Sequence, residues 1–233
     1  RLIVKQVAAD AAVHATFMPK PIEDAFGSGM HCHLSLEKDG ANAFADGDAE
    51  TGLSETGRHF IAGLLRHARE ITAVTNQTVN SYKRLIMGYE APTYISWARN
   101  NESALVRVPP AKRGKESSTR IEFRSPDPAC NPYLAFSVML AAGLAGIEGG
   151  YDLPPEATNN IWEMSAEDRR AAGFRALPQS LDEAVSTMEA SPLVQGALGD
   201  HVFEYFVRNK RDEWNAYRRQ VTQFELDRYL PSI

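Results

Sequence analysis

Apolar positions change their period several times along the chain of 233 residues, and each change marks a predicted element. Leu2, Ile3, Val4, Val7 and Ala8 form a helical stripe within residues 1 to 12, ending near His14. His14 to Met18 reads as extended, and Pro19 and Pro21 break it. From Gly29 to Leu36 the period falls to two: His31, His33 and Ser35 share one face, while Met30, Cys32, Leu34 and Leu36 share the other. Residues 38 to 52, rich in Gly, Asp, Asn and Ala, read as a surface loop. A helix then starts at Ser54, with Phe60, Ile61, Leu64, Leu65, Ala68 and Ile71 on its apolar stripe. Residues 76 to 92 have no period and read as a long loop, a length that in a compact domain points to function.

Tyr94 to Trp97 and Ala104 to Val108 read as strands, and Lys112 to Lys115 as a basic loop around Gly114. In residues 119 to 124 the alternation returns, with Arg120, Glu122 and Arg124 on one face and Ile121 and Phe123 on the other. Asn131-Pro132 opens an apolar helix that Gly149-Gly150 closes. Ser180 to Glu183 forms a capping box, and Ser191-Pro192 opens a further helix. Asp200 to Val221 reads as one long helix burying Phe203, Phe206, Val207, Trp214 and Tyr217. The order is α+β: strands and loops first, then a helical carboxy-terminal half.

Composition changes this picture little. At 43% hydrophobic and 24% charged, the chain can bury a sizeable core as one domain or part of one. A net charge of −5 gives no basic surface for nucleic acid. Cys32 and Cys130 make neither a metal spacing nor a disulfide scaffold, which fits a reducing cytoplasm. The apolar stretch from Tyr133 to Ile147 is too short to span a bilayer, and no secretory signal opens the chain. The chain begins with Arg1 inside an amphipathic pattern, so we expect a carboxy-terminal part of something longer.

Two strand faces carry candidate chemistry. A histidine and a carboxylate from adjacent strands can share one divalent metal, and arginines beside it can grip carboxylate or phosphate in bidentate fashion. Such parts suit phosphoryl transfer, where catalysis is positioning and charge neutralisation. Each also has a plain reading. His31 and His33 can be solvent-facing, Arg120-Glu122-Arg124 a cross-strand ion-pair ladder, and the Lys112–Lys115 loop merely solvated.

Three strings in register sharpen the choice: GSGMHCHLSL at Gly27 to Leu36, NSYKRLIMGYEAP at Asn80 to Pro92, and RIEFRSPDPACNPYL at Arg120 to Leu134. With HATFMPKP at His14 to Pro21 and the tail from Asn160, they make the whole chain resemble the type I glutamine synthetases. The resemblance implies a curved antiparallel sheet forming part of an active-site funnel, backed by helices. It makes His31 and Glu122 ligands of one of two divalent metals, Mg²⁺ or Mn²⁺. His33 and Ser35 would line the ATP site, and Arg107 and Arg120 would hold ATP phosphates. Arg84 and Arg124 would hold glutamate and the transferred phosphoryl group, and the Gly27 backbone would touch substrate. Glu90 would be the flap glutamate that shields the intermediate and helps deprotonate ammonium. Residues 1–233 would be the carboxy-terminal part of the catalytic domain. The remaining metal ligands and a β-grasp domain would lie upstream, and the complete enzyme would be a dodecamer of two hexameric rings.

The chain departs from that family at Glu102, where most members have arginine, and at Phe26, where many have asparagine. Gln77 and Met87 replace prolines, and Trp162 stands where some bacterial members carry a tyrosine modified with AMP. The implied activity is glutamate–ammonia ligation. The rivals are a glutamate–amine ligase for polyamines or alkylamines and a member that has lost catalysis.

Overall fold

The computed structural model describes residues 1–87, 91–111 and 114–233. Glu90 and the Lys112-Arg113 pair lie outside the described residues. Helix α1 (Leu2–Asp10) forms as the apolar stripe predicts, but its Leu2, Ile3 and Val7 are exposed. Strand β1 (Cys32–Leu34) keeps the period-two pattern, with Cys32 buried and His33 exposed. A small hairpin, β2 (Glu37–Lys38) with β3 (Ala41–Asn42), occupies the start of the expected loop, turning through Asp39 and Gly40 at positive φ.

Helix α2 (Glu55–Thr75) starts where Ser54 accepts a hydrogen bond from the Gly57 N–H, and its whole apolar stripe is buried. The long loop after it contains one short helix, α3 (Ser81–Arg84). Strands β4 (Trp97–Ala98), β5 (Val106–Arg107) and β6 (Ile121–Phe123) complete a sheet of order β1-β6-β5-β4. β6 runs antiparallel to β1 and β5, but β4 and β5 run parallel, so the expected antiparallel sheet is a mixed one. Strand β4 starts later than expected because Tyr94 bridges to Ala176 instead of to the sheet.

Helix α4 (Pro132–Glu148) begins at the Asn131 cap with Pro132 in its first turn. Its contact with α2 is the most extensive between helices, and it rests on glycines. A Cβ on Gly146 would stand 2.7 Å from Gly63 Cα and would collide with the His59 carbonyl, so only glycine lets the backbones approach this closely. Short helix α5 (Ala166–Ala171) is followed by α6 (Leu181–Glu189), α7 (Pro192–Leu198), α8 (Asp200–Tyr217) and α9 (Gln223–Tyr229). At α6 Ser180 caps the Glu183 N–H, yet Glu183 accepts from Gln179 N, so the reciprocal box is absent. The full box occurs instead at Thr222 and Glu225, where α9 begins separately from the long helix that stops at Tyr217. Among the described residues no helix is long and apolar enough to cross a membrane.

One contact ties α2 to α7 and is pH-sensitive. Glu70 accepts a hydrogen bond from the α7 cap Ser191 and lies 3.0 Å from His67 Nδ1. Burial opposes its ionisation, but these hydrogen bonds outweigh it and hold the carboxyl below its ordinary value of 4.5. A depressed folded value means that this stabilisation is complete above pH 4.5 and is lost as pH falls through the folded pKa. Glu70→Gln therefore flattens the acid limb of the melting temperature against pH, measured from about pH 6 to about pH 3.

Candidate active site

The centre of the site is Glu122 on β6, a strand whose three residues are all buried. In the ladder its neighbours are His33 on β1 and Arg107 on β5, and cross-strand partners put their side chains on the same sheet face. His31, just before β1, brings Nδ1 to 2.7 Å from Glu122 Oε1. Arg107 reaches the other carboxylate oxygen at 3.5 Å, and Arg124 Nε stands 3.7 Å from Oε1. One buried carboxylate thus faces an imidazole and two guanidinium groups. Burial and the Arg124 charge hold the His31 imidazole below its ordinary pKa, against the pull of Glu122. The neutral ring is the form that ligates metals. Imidazole nitrogen and carboxylate oxygen at this separation fit neighbouring positions around one Mn²⁺ or Mg²⁺ ion. Two donors do not complete such a site, and no group of three His, Cys, Asp or Glu able to hold a metal occurs among the described residues.

Beside this cluster lies a cavity of about 400 Å³, walled by Gly27, Gly29, Arg84, Arg124, Phe26 and Ala91 with His31 at its edge. Arg84 is buried, with its guanidinium donating to the Ser125 carbonyl at 2.7 Å and the Arg124 carbonyl at 3.2 Å. Burial lowers it to about 10; Asp127 opposes that shift and Arg124 adds to it, so it stays charged at neutral pH. A Cβ on Gly29 would lie 2.6 Å from Arg84 Nη2, and one on Gly27 would lie 2.6 Å from the Pro19 carbonyl. Gly29 thus leaves room for the guanidinium, and Gly27 for the Pro19 carbonyl and the Arg84 stem. Arg124 is fixed from below by the carbonyls of Glu102 and Ala104.

A second cavity, of about 550 Å³, shares His31 with the first and is lined also by His33. Ser35 and His33 give it a polar wall, and Phe60, Phe136 and Leu140 an apolar one. The roomiest cavity described, about 570 Å³ between α2 and residues 152–159, holds none of the candidate residues and lies apart from this chemistry.

Not every candidate joins the cluster. Arg120 hydrogen-bonds the Ser118 carbonyl at 3.3 Å, and among the described residues it forms no ion pair with Glu122. Arg99, a possible substitute for the arginine missing at position 102, is committed to Glu156 through its main-chain N–H at 2.7 Å and its guanidinium at 2.8 Å. The Glu102 side chain is exposed and only its carbonyl serves the site. Trp162 is half-buried. Sequence reasoning missed the support under Arg84. Asn76, buried at the end of α2, donates to the Ser125 carbonyl at 2.8 Å and to the buried Asp127 carboxylate at 3.0 Å. The Pro-Asp-Pro turn at 126–128 was the available signal.

A family model described as glutamine synthetase, catalytic domain, matches residues 1–229. This chain belongs to the glutamine synthetase catalytic-domain family. Glutamine synthetase of Mycobacterium bovis is 57% identical over 230 residues, 99% of this chain and 52% of that protein. The Thermus thermophilus glutamine synthetase is 54% identical over 228 residues, 98% of this chain and 50% of that one. A solved GmaS/ADP complex superposes with a TM-score of 0.88 at 38% identity, covering 99% of this chain and 52% of that structure. Apo GmaS without ligand gives a TM-score of 0.86 at 40% identity over 98% of this chain and 51% of that structure. The chain thus spans about half the length of the glutamine synthetases it matches.

Proposed function

We propose that this glutamine synthetase-family chain is the carboxy-terminal part of a catalytic domain that ligates ammonia to the γ-carboxylate of glutamate with ATP. The observation that carries the reading is the convergence of His31, Arg107 and Arg124 on the buried Glu122, next to a cavity floored by Arg84. In this reading a glutamate carboxylate lies on Arg84 and Arg124, over the backbone of Gly27. ATP lies along His33 and Ser35, its phosphates toward Arg107 and Arg120. His31 and Glu122 would hold one Mg²⁺ or Mn²⁺, with the remaining ligands supplied by the longer protein, and such an ion would supply charge neutralisation at the phosphates. The γ-phosphoryl group passes to a γ-carboxylate oxygen of glutamate, giving γ-glutamyl phosphate and ADP. Ammonia then attacks the acyl carbon, phosphate leaves, and the nitrogen gives up a proton. Arg124 and Arg107 face the transferring charge with fixed guanidinium groups, so little reorganisation is needed at that moment. For Glu90 we keep the role that the resemblance implies, shielding the intermediate from water and helping to deprotonate ammonium.

The complete protein in this reading works in the cytoplasm as a dodecamer of two hexameric rings. Its upstream part covers apolar surface that this chain leaves open, including Phe136 and Leu140 on α4 beside the free edge of β1. Glutamine formation by the full-length protein, dependent on ATP and a divalent metal, tests the reading; purified full-length protein that forms none removes it.

One observation favours a second reading, a glutamate–amine ligase for cationic amines. Glu102 gives its main-chain carbonyl to Arg124 and carries an exposed carboxylate, with Arg99 committed elsewhere. Glu102→Arg reverses the local charge by two units, and we expect it to raise kcat/KM with ammonium by about tenfold while lowering use of putrescine. Steady-state rates with both amines check this; an unchanged profile for both places Glu102 outside the functional site.

A further inference from the structure

We propose that the cavity between residues 99–103 and 156–162 is a binding site for a small alkylammonium cation, which the Glu102 carboxylate and the Trp162 ring receive. The site goes beyond the ligase reading, since it concerns binding outside the reaction centre and needs no turnover. The cavity measures about 530 Å³ and shares none of its described lining residues with the two cavities at the Glu122 cluster. Glu102 also holds Arg124 through its main-chain carbonyl, which puts the site beside that cluster.

Hydrogen bonds within the walls fix their shape in advance and decide which groups remain for a ligand. Asn101 donates to the Ala157 carbonyl at 3.0 Å and to the Asn159 carbonyl at 2.6 Å. Ser103 Oγ accepts from the Ile161 N–H at 3.0 Å, and Asn160 Oδ1 accepts from the Trp162 N–H at 3.1 Å. Arg99 and Glu156 are bound to each other, so their charges cancel. The exposed carboxylate of Glu102 is left, with no ion pair or hydrogen bond among the described residues. The described lining thus carries two carboxylates against one guanidinium. Trp162 is half-buried, but its Nε1 is fully buried and has no partner among the described residues. Ring carbon, and not the indole N–H, is therefore what Trp162 offers a ligand. An excess negative charge repels anions, and one uncommitted carboxylate is too few for a metal ion, which takes several oxygen ligands. A carboxylate and an indole in one cavity together suit an ammonium group that carries an alkyl chain.

The test titrates full-length protein, without ATP, with n-butylammonium chloride and separately with butan-1-ol, its neutral counterpart, followed by ligand-observed NMR. The amine is protonated at neutral pH. Wild-type protein is expected to bind butylammonium about fivefold more tightly than butan-1-ol. Trp162→Leu and Glu102→Gln each weaken butylammonium binding by about three- to fivefold, the size of an exposed cation–π contact or ion pair. Glu102→Gln leaves butan-1-ol binding unchanged. Melting temperatures verify that both variants are folded; the Glu102 side chain is exposed and makes no bond among the described residues, so Glu102→Gln decides the matter if Trp162→Leu does not fold. Unchanged butylammonium binding in either folded variant, equal binding of the two probes, or no saturable binding overturns the site. Glutamine formation by the same preparation, present or absent, bears on the ligase reading alone.

Discussion

Glu122→Gln is expected to remove ligase activity by at least a factor of 10²–10³, with a loss of stability of about 3 kcal/mol alongside it. The substitution keeps shape and burial but deletes a negative charge that Arg107, Arg124 and His31 face. A buried carboxylate is costly to desolvate, yet removing its charge takes a compensating partner from the guanidinium groups beside it, and that is the larger penalty. Arg124 feels it most, because it is buried and close to the equally cationic Arg84. Activity of the full-length protein and thermal unfolding of the same preparation separate the two effects. Lys or Arg changes elsewhere on the surface give shifts within about 0.5 kcal/mol.

The largest purely structural effect is expected at the α2–α4 crossing. Gly146→Ala places a methyl group 2.7 Å from both the Gly63 nitrogen and its Cα, atoms that cannot rotate away. The helices must separate, and packing along both suffers, including Phe60 against Gly143. Overpacking against backbone here costs about 3 kcal/mol or more. Gly47→Ala, where an added Cβ meets nothing within 4 Å, is the control and changes stability by less than about 0.5 kcal/mol. Denaturant unfolding midpoints of the two variants check the contrast.

Much of this architecture was legible because period and burial coincide. His31, His33 and Ser35 could be placed on one strand face, and Glu122 with Arg124 on another, from alternation alone. Their pairing could not, since a strand of three residues carries no mark of its register. The parallel pairing of β4 with β5 was hidden for the same reason: each strand is only two residues long. Arg120 shared the right alternation with Glu122, but its guanidinium hydrogen-bonds the Ser118 carbonyl two residues back. The commitment of Arg99 to Glu156 spans 57 residues and leaves no local trace. Asp127 and Asn76 support Arg84 from loop and helix-end positions, where no periodicity exists to betray a buried polar network. The motif strings, not the spacing, chose between an ion-pair ladder and a catalytic face.

The most direct test of the central claim follows oxygen from glutamate to phosphate. Full-length protein is given glutamate labelled with ¹⁸O in the γ-carboxylate, ATP, ammonium and Mg²⁺ or Mn²⁺, and the released phosphate is analysed by mass spectrometry. Passage through γ-glutamyl phosphate predicts one ¹⁸O atom in each phosphate released with glutamine. Phosphate without label, formed while ATP is consumed, would mean that water and not the γ-carboxylate accepts the phosphoryl group, and would contradict the account.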